Sequence, residues 1–205
     1  MALPVLRRRP PALLFTGVAL FACLLAFWLN GFWQRPAQPL GWLGEWQGTV
    51  LQPLAEGQLT LQQLRERLPA GELWVQPQLD GLRLLYRGEL ATDDAPWRLQ
   101  AELELSEAQR ASLARATGLA PRDSEQPLAA ELQERLGQYR ITALDLRPQA
   151  ALEQARVVAS LGEPRLRLQL QAGEAWVYPQ QGLTAHLRDG RLQLLRAVPR
   201  SLLQH

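Results

Sequence analysis

The sequence predicts an N-terminal single transmembrane helix joined to a mainly β (α+β) domain. That domain is expected to be an antiparallel sheet with a duplicated hairpin unit and one or two inserted helices. Three observations carry the reading. An uncharged apolar run over residues 11–33 follows three arginines. Apolar and polar residues alternate with period two through much of the remainder, the mark of half-buried strands. A short motif near residue 71 recurs about 100 residues later.

The anchor comes first. Pro11 to Trp33 contains no charge, and Thr16 and Asn30 are its only clearly polar members. About 23 helical residues at ~1.5 Å each span roughly 34 Å, enough to cross a hydrocarbon core. Arg7, Arg8 and Arg9 precede the run and only Arg35 follows it closely. The positive-inside rule then makes 1–10 a cytoplasmic tail and 11–33 the span. Residues 34–40 become a Pro-containing linker, and 41–205 a β-rich domain on the far, periplasmic side. Trp28, Phe32 and Trp33 are placed at the outer membrane interface, where amphipathic rings are favoured. Two other readings share the basic start. A cleaved signal peptide lacks a convincing small-x-small site here. A lipoprotein signal at Leu20-Phe21-Ala22-Cys23 is disfavoured by Phe21 and by the apolar residues that continue after Cys23. On the preferred reading Cys23 is a small apolar residue within the span.

Removing the anchor from the 205 residues leaves about 165, an ordinary size for one domain with its own core. All 22 strongly basic residues are arginine. That usage suggests a GC-rich genome and says little about phosphate or nucleic acid. Four of the 22 flank the apolar run, so the outer domain holds 18 against 20 acidic residues, a net of −2. A near-neutral domain of mixed sign argues against nucleic acid as a partner. Cys23 is the single cysteine, so the domain needs no disulfide.

The strands follow in order. Leu73, Val75 and Leu79 share one face, with Trp74 on the other. Leu82, Leu84 and Tyr86 alternate with Arg83 and Arg87. Trp97, Leu99, Ala101, Leu103 and Leu105 alternate with Arg98, Gln100, Glu102 and Glu104, the cleanest strand in the chain. Ile141 to Leu146 is a weaker strand, because its apolar register slips between Ala143 and Leu144. Leu166, Leu168 and Leu170 alternate with Arg165, Arg167 and Gln169, and Leu192 and Leu194 close the series. Asp80-Gly81 and Asp189-Gly190 are hairpin-turn dipeptides. Between the strands, Ser106 with Gln109 three residues on is a capping-box helix start, and Gly118 a stop. Leu128, Leu132 and Leu136 form a second helical stripe, with Pro127 near its start and Gly137 past its end. Thr60 to Leu68 fits a helix through Leu61, Leu64 and Leu68, or a strand through Leu59 and Leu61.

The repeat aligns Gly71, Glu72, Trp74, Val75, Pro77 and Gln78 with Gly173, Glu174, Trp176, Val177, Pro179 and Gln180. A spacing of about 100 residues points to a duplicated β-hairpin rather than a solenoid. Proline lacks an N–H donor, so Pro77 and Pro179 belong at an edge, bulge or turn. Chance similarity between two amphipathic hairpins of biased composition is the other explanation.

Catalytic signals are sparse. His186 lies inside a strand pattern and His205 is the last residue. No His, Cys or carboxylate pair has metal-ligand spacing, and there is no phosphate loop, dinucleotide fingerprint or nucleophile elbow. Asp93-Asp94 reads as a solvated turn and not a catalytic dyad. No catalytic residue, metal ligand or cofactor is assigned. The tryptophans are more suggestive: Trp74 and Trp176 hold equivalent repeat positions. With Tyr86 and Tyr178 they form a candidate surface for a partner protein or a lipid, core packing being the alternative.

Gly44-Glu45-Trp46-Gln47-Gly48 follows the anchor, then Gly-x-Leu-x-Leu at Gly57 to Leu61 and Asp-Gly-Leu-x-Leu at Asp80 to Leu84. This order resembles the protein N family of type II secretion systems and the wider AsmA-like group of membrane-anchored envelope proteins. The resemblance implies an inner-membrane span, a periplasmic β-rich domain and a non-enzymatic role in protein transport or envelope biogenesis. Other envelope or secretion proteins, and the membrane itself, are then the expected partners. A lipid- or hydrophobic-ligand-binding module, its sheet forming a groove lined by Leu and Trp, is the alternative.

Overall fold

The computed structural model describes residues 37–129 and 134–203. Arg7, Arg8, Arg9, the predicted span and its interface residues Trp28, Phe32 and Trp33 lie outside them. Among the described residues no helix is long and apolar enough to cross a membrane.

Residues from Gln38 onward form one compact unit. It begins with α1 (Gly41–Trp46), a π-helical turn (Gln47–Leu51) and α2 (Gln52–Ala55), which run on without a break in helical backbone. Pro53 explains the widened turn. It cannot donate a backbone hydrogen bond and its ring crowds the carbonyl four residues earlier, so the preceding turn opens. The helical reading of Thr60 to Leu68 is the one adopted. Helix α3 (Leu61–Arg67) starts at a capping box in which Thr60 and Gln63 satisfy each other's backbone N–H.

The strands are β1 (Glu72–Gln78), β2 (Gly81–Leu90), β3 (Trp97–Leu103), β4 (Gln126–Pro127) and β5 (Ile141–Pro148). They continue with β6 (Leu152–Glu153), β7 (Leu166–Leu170), β8 (Gly173–Tyr178), β9 (Leu183–Arg188) and β10 (Arg191–Ala197). They form one antiparallel sheet in the order β4-β1-β2-β3-β5-β10-β9-β8-β7, with β6 paired to β10 beside that path. The expected mainly β, antiparallel domain with inserted helices is what forms. Two meanders, β1-β2-β3 and β8-β9-β10, lie on either side of β5. Helix α4 (Glu107–Thr117) follows β3, capped by Ser106 and Gln109 and ended by left-handed Gly118 at φ 65°, as its sequence signals require. Helix α5 (Gln154–Leu161) precedes β7.

One face of the sheet carries the core. Leu73, Val75, Leu82, Leu84, Tyr86, Trp97, Leu99, Ala101, Leu144, Leu146, Leu183, Ala185 and Leu195 line it, packed with Trp42, Trp46, Leu51, Leu54, Leu61, Leu64 and Val157 from the helices. Trp97 is fully buried, with the Trp42 ring set edge-on at 4.9 Å between centroids. Trp42 meets Trp46 the same way at 5.7 Å. The first residues of the unit are pinned to α5: Leu40 donates its N–H to Ser160 Oγ at 2.8 Å, and Arg156 Nε donates to the Gln38 carbonyl at 2.9 Å.

Several details differ from the sequence expectation, each for a local reason. The first hairpin turns at Leu79-Asp80, so Leu79 is 90 % exposed and Gly81, at φ 124°, already opens β2. The second turns at Asp189-Gly190 as expected, both with positive φ (52° and 70°). The slip inside β5 is a bulge: Glu102 pairs with Ala143 and Leu103 with Ile141, leaving Thr142 extra. A second bulge at Gln193 turns Leu194 off the core face and puts Leu195 there. Pro127 does not start a helix. Gln126–Pro127 bridges to Val75 and Trp74, and residues 130–133 of the expected helix are outside the described ones. Pro77 lies on β1 beyond the reach of β4, and Pro179 in the β8–β9 loop, so neither interrupts a ladder.

Removing the Trp97 side chain should cost about 3–5 kcal/mol, the range for a buried large aromatic. Urea unfolding of W97A followed by circular dichroism checks it; a loss under about 1 kcal/mol would show that the Trp42–Trp97 contact is not central to the core.

Candidate functional site

The sheet has one covered face and one largely open face. On the open face, strand register aligns Trp74 with Leu85, Arg87 with Gln100, Gln100 with Asp145 and Asp145 with Arg196. Trp74 is half-buried there. The Arg87 guanidinium lies 5.5 Å from its ring centroid and grips Glu125 with two hydrogen bonds, 2.5 and 2.9 Å. Arg87 Nε donates to Gln100 Oε1 at 2.9 Å, and Gln76 Nε2 donates to Glu125 at 3.2 Å. The Arg87 hydrogen bonds hold the Glu125 carboxyl below the usual carboxylate range. A shallow groove of about 710 Å³ runs across β1, β2, β3 and β5 at this cluster. Its lining includes Glu72, Trp74, Arg87, Glu89, Arg98 and Arg147.

The four residues expected to form one surface do not meet. Tyr86 is fully buried and its hydroxyl donates to the Leu68 carbonyl; burial raises its pKa. Trp176 is 3 % exposed on the core face, its Nε1 donating to Glu174 Oε2 at 2.8 Å, with the Arg167 guanidinium 4.6 Å from its ring. Tyr178, also buried on the core face, donates to the Gly162 carbonyl at 3.3 Å, and burial pushes its pKa up to about 12. Trp74 and Trp176 occupy equivalent repeat positions yet face opposite ways. In β1 the core row is Leu73 and Val75; in β8 it is Trp176 and Tyr178. A one-residue change of register flips a strand's whole side-chain set. The motif's glycines are required in both copies for steric reasons. A Cβ at Gly71 would meet the Tyr86 ring, and Gly173 combines φ 131° with the Leu187 carbonyl against its Cα.

The edge strand β7 reverses the expected pattern. Leu166, Leu168 and Leu170 were expected to be the buried row, but they are 49, 44 and 45 % exposed on the open face. Arg167 and Gln169 take the core-side row, opposite Trp176 and Glu174. Alternation alone cannot say which row of an edge strand is covered.

Asp94 of the Asp93-Asp94 turn is an anchor point: Arg156 donates to its Oδ2 at 2.7 Å, and that bond holds its pKa below the usual range. The same guanidinium ties down Gln38, so one arginine fixes a loop and the start of the unit. His186 lies on the open face opposite Leu194. Burial first, then the fields of Arg196 and Arg147, lower its pKa, while Asp145 pulls the other way. Among the described residues no group of three or more His, Cys, Asp or Glu is placed to hold a metal ion. The chain matches no family model, no curated protein and no solved structure.

His186 should titrate below the ordinary histidine value of about 6.5. Its lowered pKa favours folding above that unfolded value, and this contribution is lost as pH falls through the folded pKa. Proton NMR titration of R196Q should show the His186 pKa moving up; a pKa unchanged or lowered would contradict the assigned field.

Proposed function

We propose that this chain is a bitopic inner-membrane protein whose periplasmic β-rich domain is a non-enzymatic docking component of a secretion or envelope-assembly machine. The arginine-flanked apolar run supports the membrane placement, and the order of motifs resembling the type II secretion protein N and AsmA-like groups supports the envelope setting. The observation that carries the docking role is β7. It is the last strand of the sheet, with a row of three leucines half open to solvent. Folded proteins normally blunt such edges, and an extended segment of a partner can add to one by backbone pairing. Alternate side chains of that segment would meet the leucine row, with Ala175 and Val177 of β8 extending it. A lipid-binding role has less support. The apolar side chains of the core face are packed against the helices, and the open groove is lined mainly by charged and polar groups.

Photocrosslinking from position 166 in intact membranes should capture an envelope protein. L168E should abolish the adduct while moving the melting temperature by no more than about 2 °C, as for an exposed substitution. Recovery of uncrosslinked monomer from wild type, or an adduct unaffected by L168E, would count against the proposal.

A further inference from the structure

Seven strand arginines share the open face of the sheet: Arg188 and Arg191 face each other at the second hairpin turn, and of the other five, three are matched by carboxylates. Arg83 meets Glu102 at 3.6 Å, Arg87 meets Glu125 at 2.5 Å and Arg196 meets Asp145 at 3.4 Å. Arg98 on β3 and Arg147 on β5 are different. They stand directly opposite each other in register, which brings their Cβ atoms to about 5 Å. Among the described residues neither forms an ion pair. The carboxylates nearest in register form no ion pair with either guanidinium. Glu89 faces Arg98 from β2, but it accepts a hydrogen bond from Gln149 Nε2. Asp145, two residues before Arg147, belongs to Arg196. Like charges directly opposite across a sheet are unfavourable, and Glu89 and Asp145 offset this pair only through space, without an ion pair to either guanidinium.

We infer that Arg98 and Arg147 form a binding site for a phosphate group, free or as a monoester. Two guanidinium groups match the two negative charges of such a dianion. Their planar forks present N–H donors in pairs, the geometry that phosphate oxygens accept. The two side chains are solvent-exposed and line the 710 Å³ groove, so a ligand reaches them without rearrangement. Trp74, held under Arg87, gives the groove an apolar wall for whatever the phosphate is attached to. Glu72, Glu89 and Asp145 line the same groove, so an extended polyanion laid along it would meet three carboxylates.

Isothermal titration calorimetry of the purified full chain at low ionic strength, with inorganic phosphate and with glycerol phosphate, tests this. Saturable binding with a roughly millimolar Kd is expected, and R98Q or R147Q should each weaken it about tenfold or more. R83Q, on the same face but already paired with Glu102, should leave it unchanged. R98K keeps the charge and loses the fork, so intermediate binding is expected. Both glutamine variants remove a repulsion, so their melting temperatures should hold or rise. Tighter binding of the ester assigns the site to a headgroup-like phosphate, and tighter binding of the inorganic ion to free phosphate. No saturable binding in wild type, or binding equal in R98Q and R83Q, would overturn the inference.

Discussion

Strand β5 is the constraint on which the domain depends. Ile141–Pro148 pairs with β3 along one side and with β10 along the other, and among the described residues no other strand joins the two meanders. Each meander alone is a three-stranded sheet with a modest apolar face. Joined through β5, their core rows become continuous from Leu73 to Tyr178, and the helices cover a single surface. The bulge at Thr142 lets β5 serve both neighbours. Its hydroxyl donates to the Glu102 carbonyl at 3.3 Å, which ties the extra residue to the ladder. Leu144 and Leu146 face the core on one side of the strand, and Asp145 faces the open groove on the other.

Covering one face leaves the other open to solvent. Helices α1, α2, α3 and α5 supply enough apolar side chains for the core face, and the chain places charge on the reverse. Arg83, Arg87, Arg98, Arg147 and Arg196 all stand in strand positions that alternate with buried residues. Their arrangement is therefore set by the same period-two rule that builds the core. Where the sheet ends at β7 the pattern reverses, with Leu166, Leu168 and Leu170 on the open face and Arg167 and Gln169 on the core side. The leucine row of β7 and the arginine groove are separate consequences of one architecture.

Much of this was legible from residue order, and the failures have physical causes. The cleanest alternation, expected from Trp97 to Leu105, became β3 with Trp97, Leu99, Ala101 and Leu103 buried, because both strand neighbours are present to enforce it; Leu105 lies past the strand end and is only partly buried. The Ser106–Gln109 cap and the Gly118 stop bounded α4 to the residue, since capping is local chemistry. The register slip at Ala143 and Leu144 was visible and proved to be a bulge. Helix α1 was not seen: Gly41 and Gly44 are poor helix formers, and tertiary packing of Trp42 and Trp46 overrides them. The repeat identified two real hairpins, but not that their tryptophans face opposite ways, because orientation depends on which row the helices cover. The candidate surface of Trp74, Trp176, Tyr86 and Tyr178 failed for that reason. The Arg98–Arg147 pair was hidden because cross-strand neighbours about 50 residues apart cannot be matched without the sheet order.

Native-state hydrogen–deuterium exchange on the full chain, read residue by residue, tests the central role of β5 most directly. If β5 unites the meanders, its paired amides, those of β3 and those of β10 should open only with global unfolding, and as one cooperative group. The outward amides of β7 should exchange far faster. Early exchange in β5, with the two meanders opening independently at different denaturant concentrations, would contradict the account.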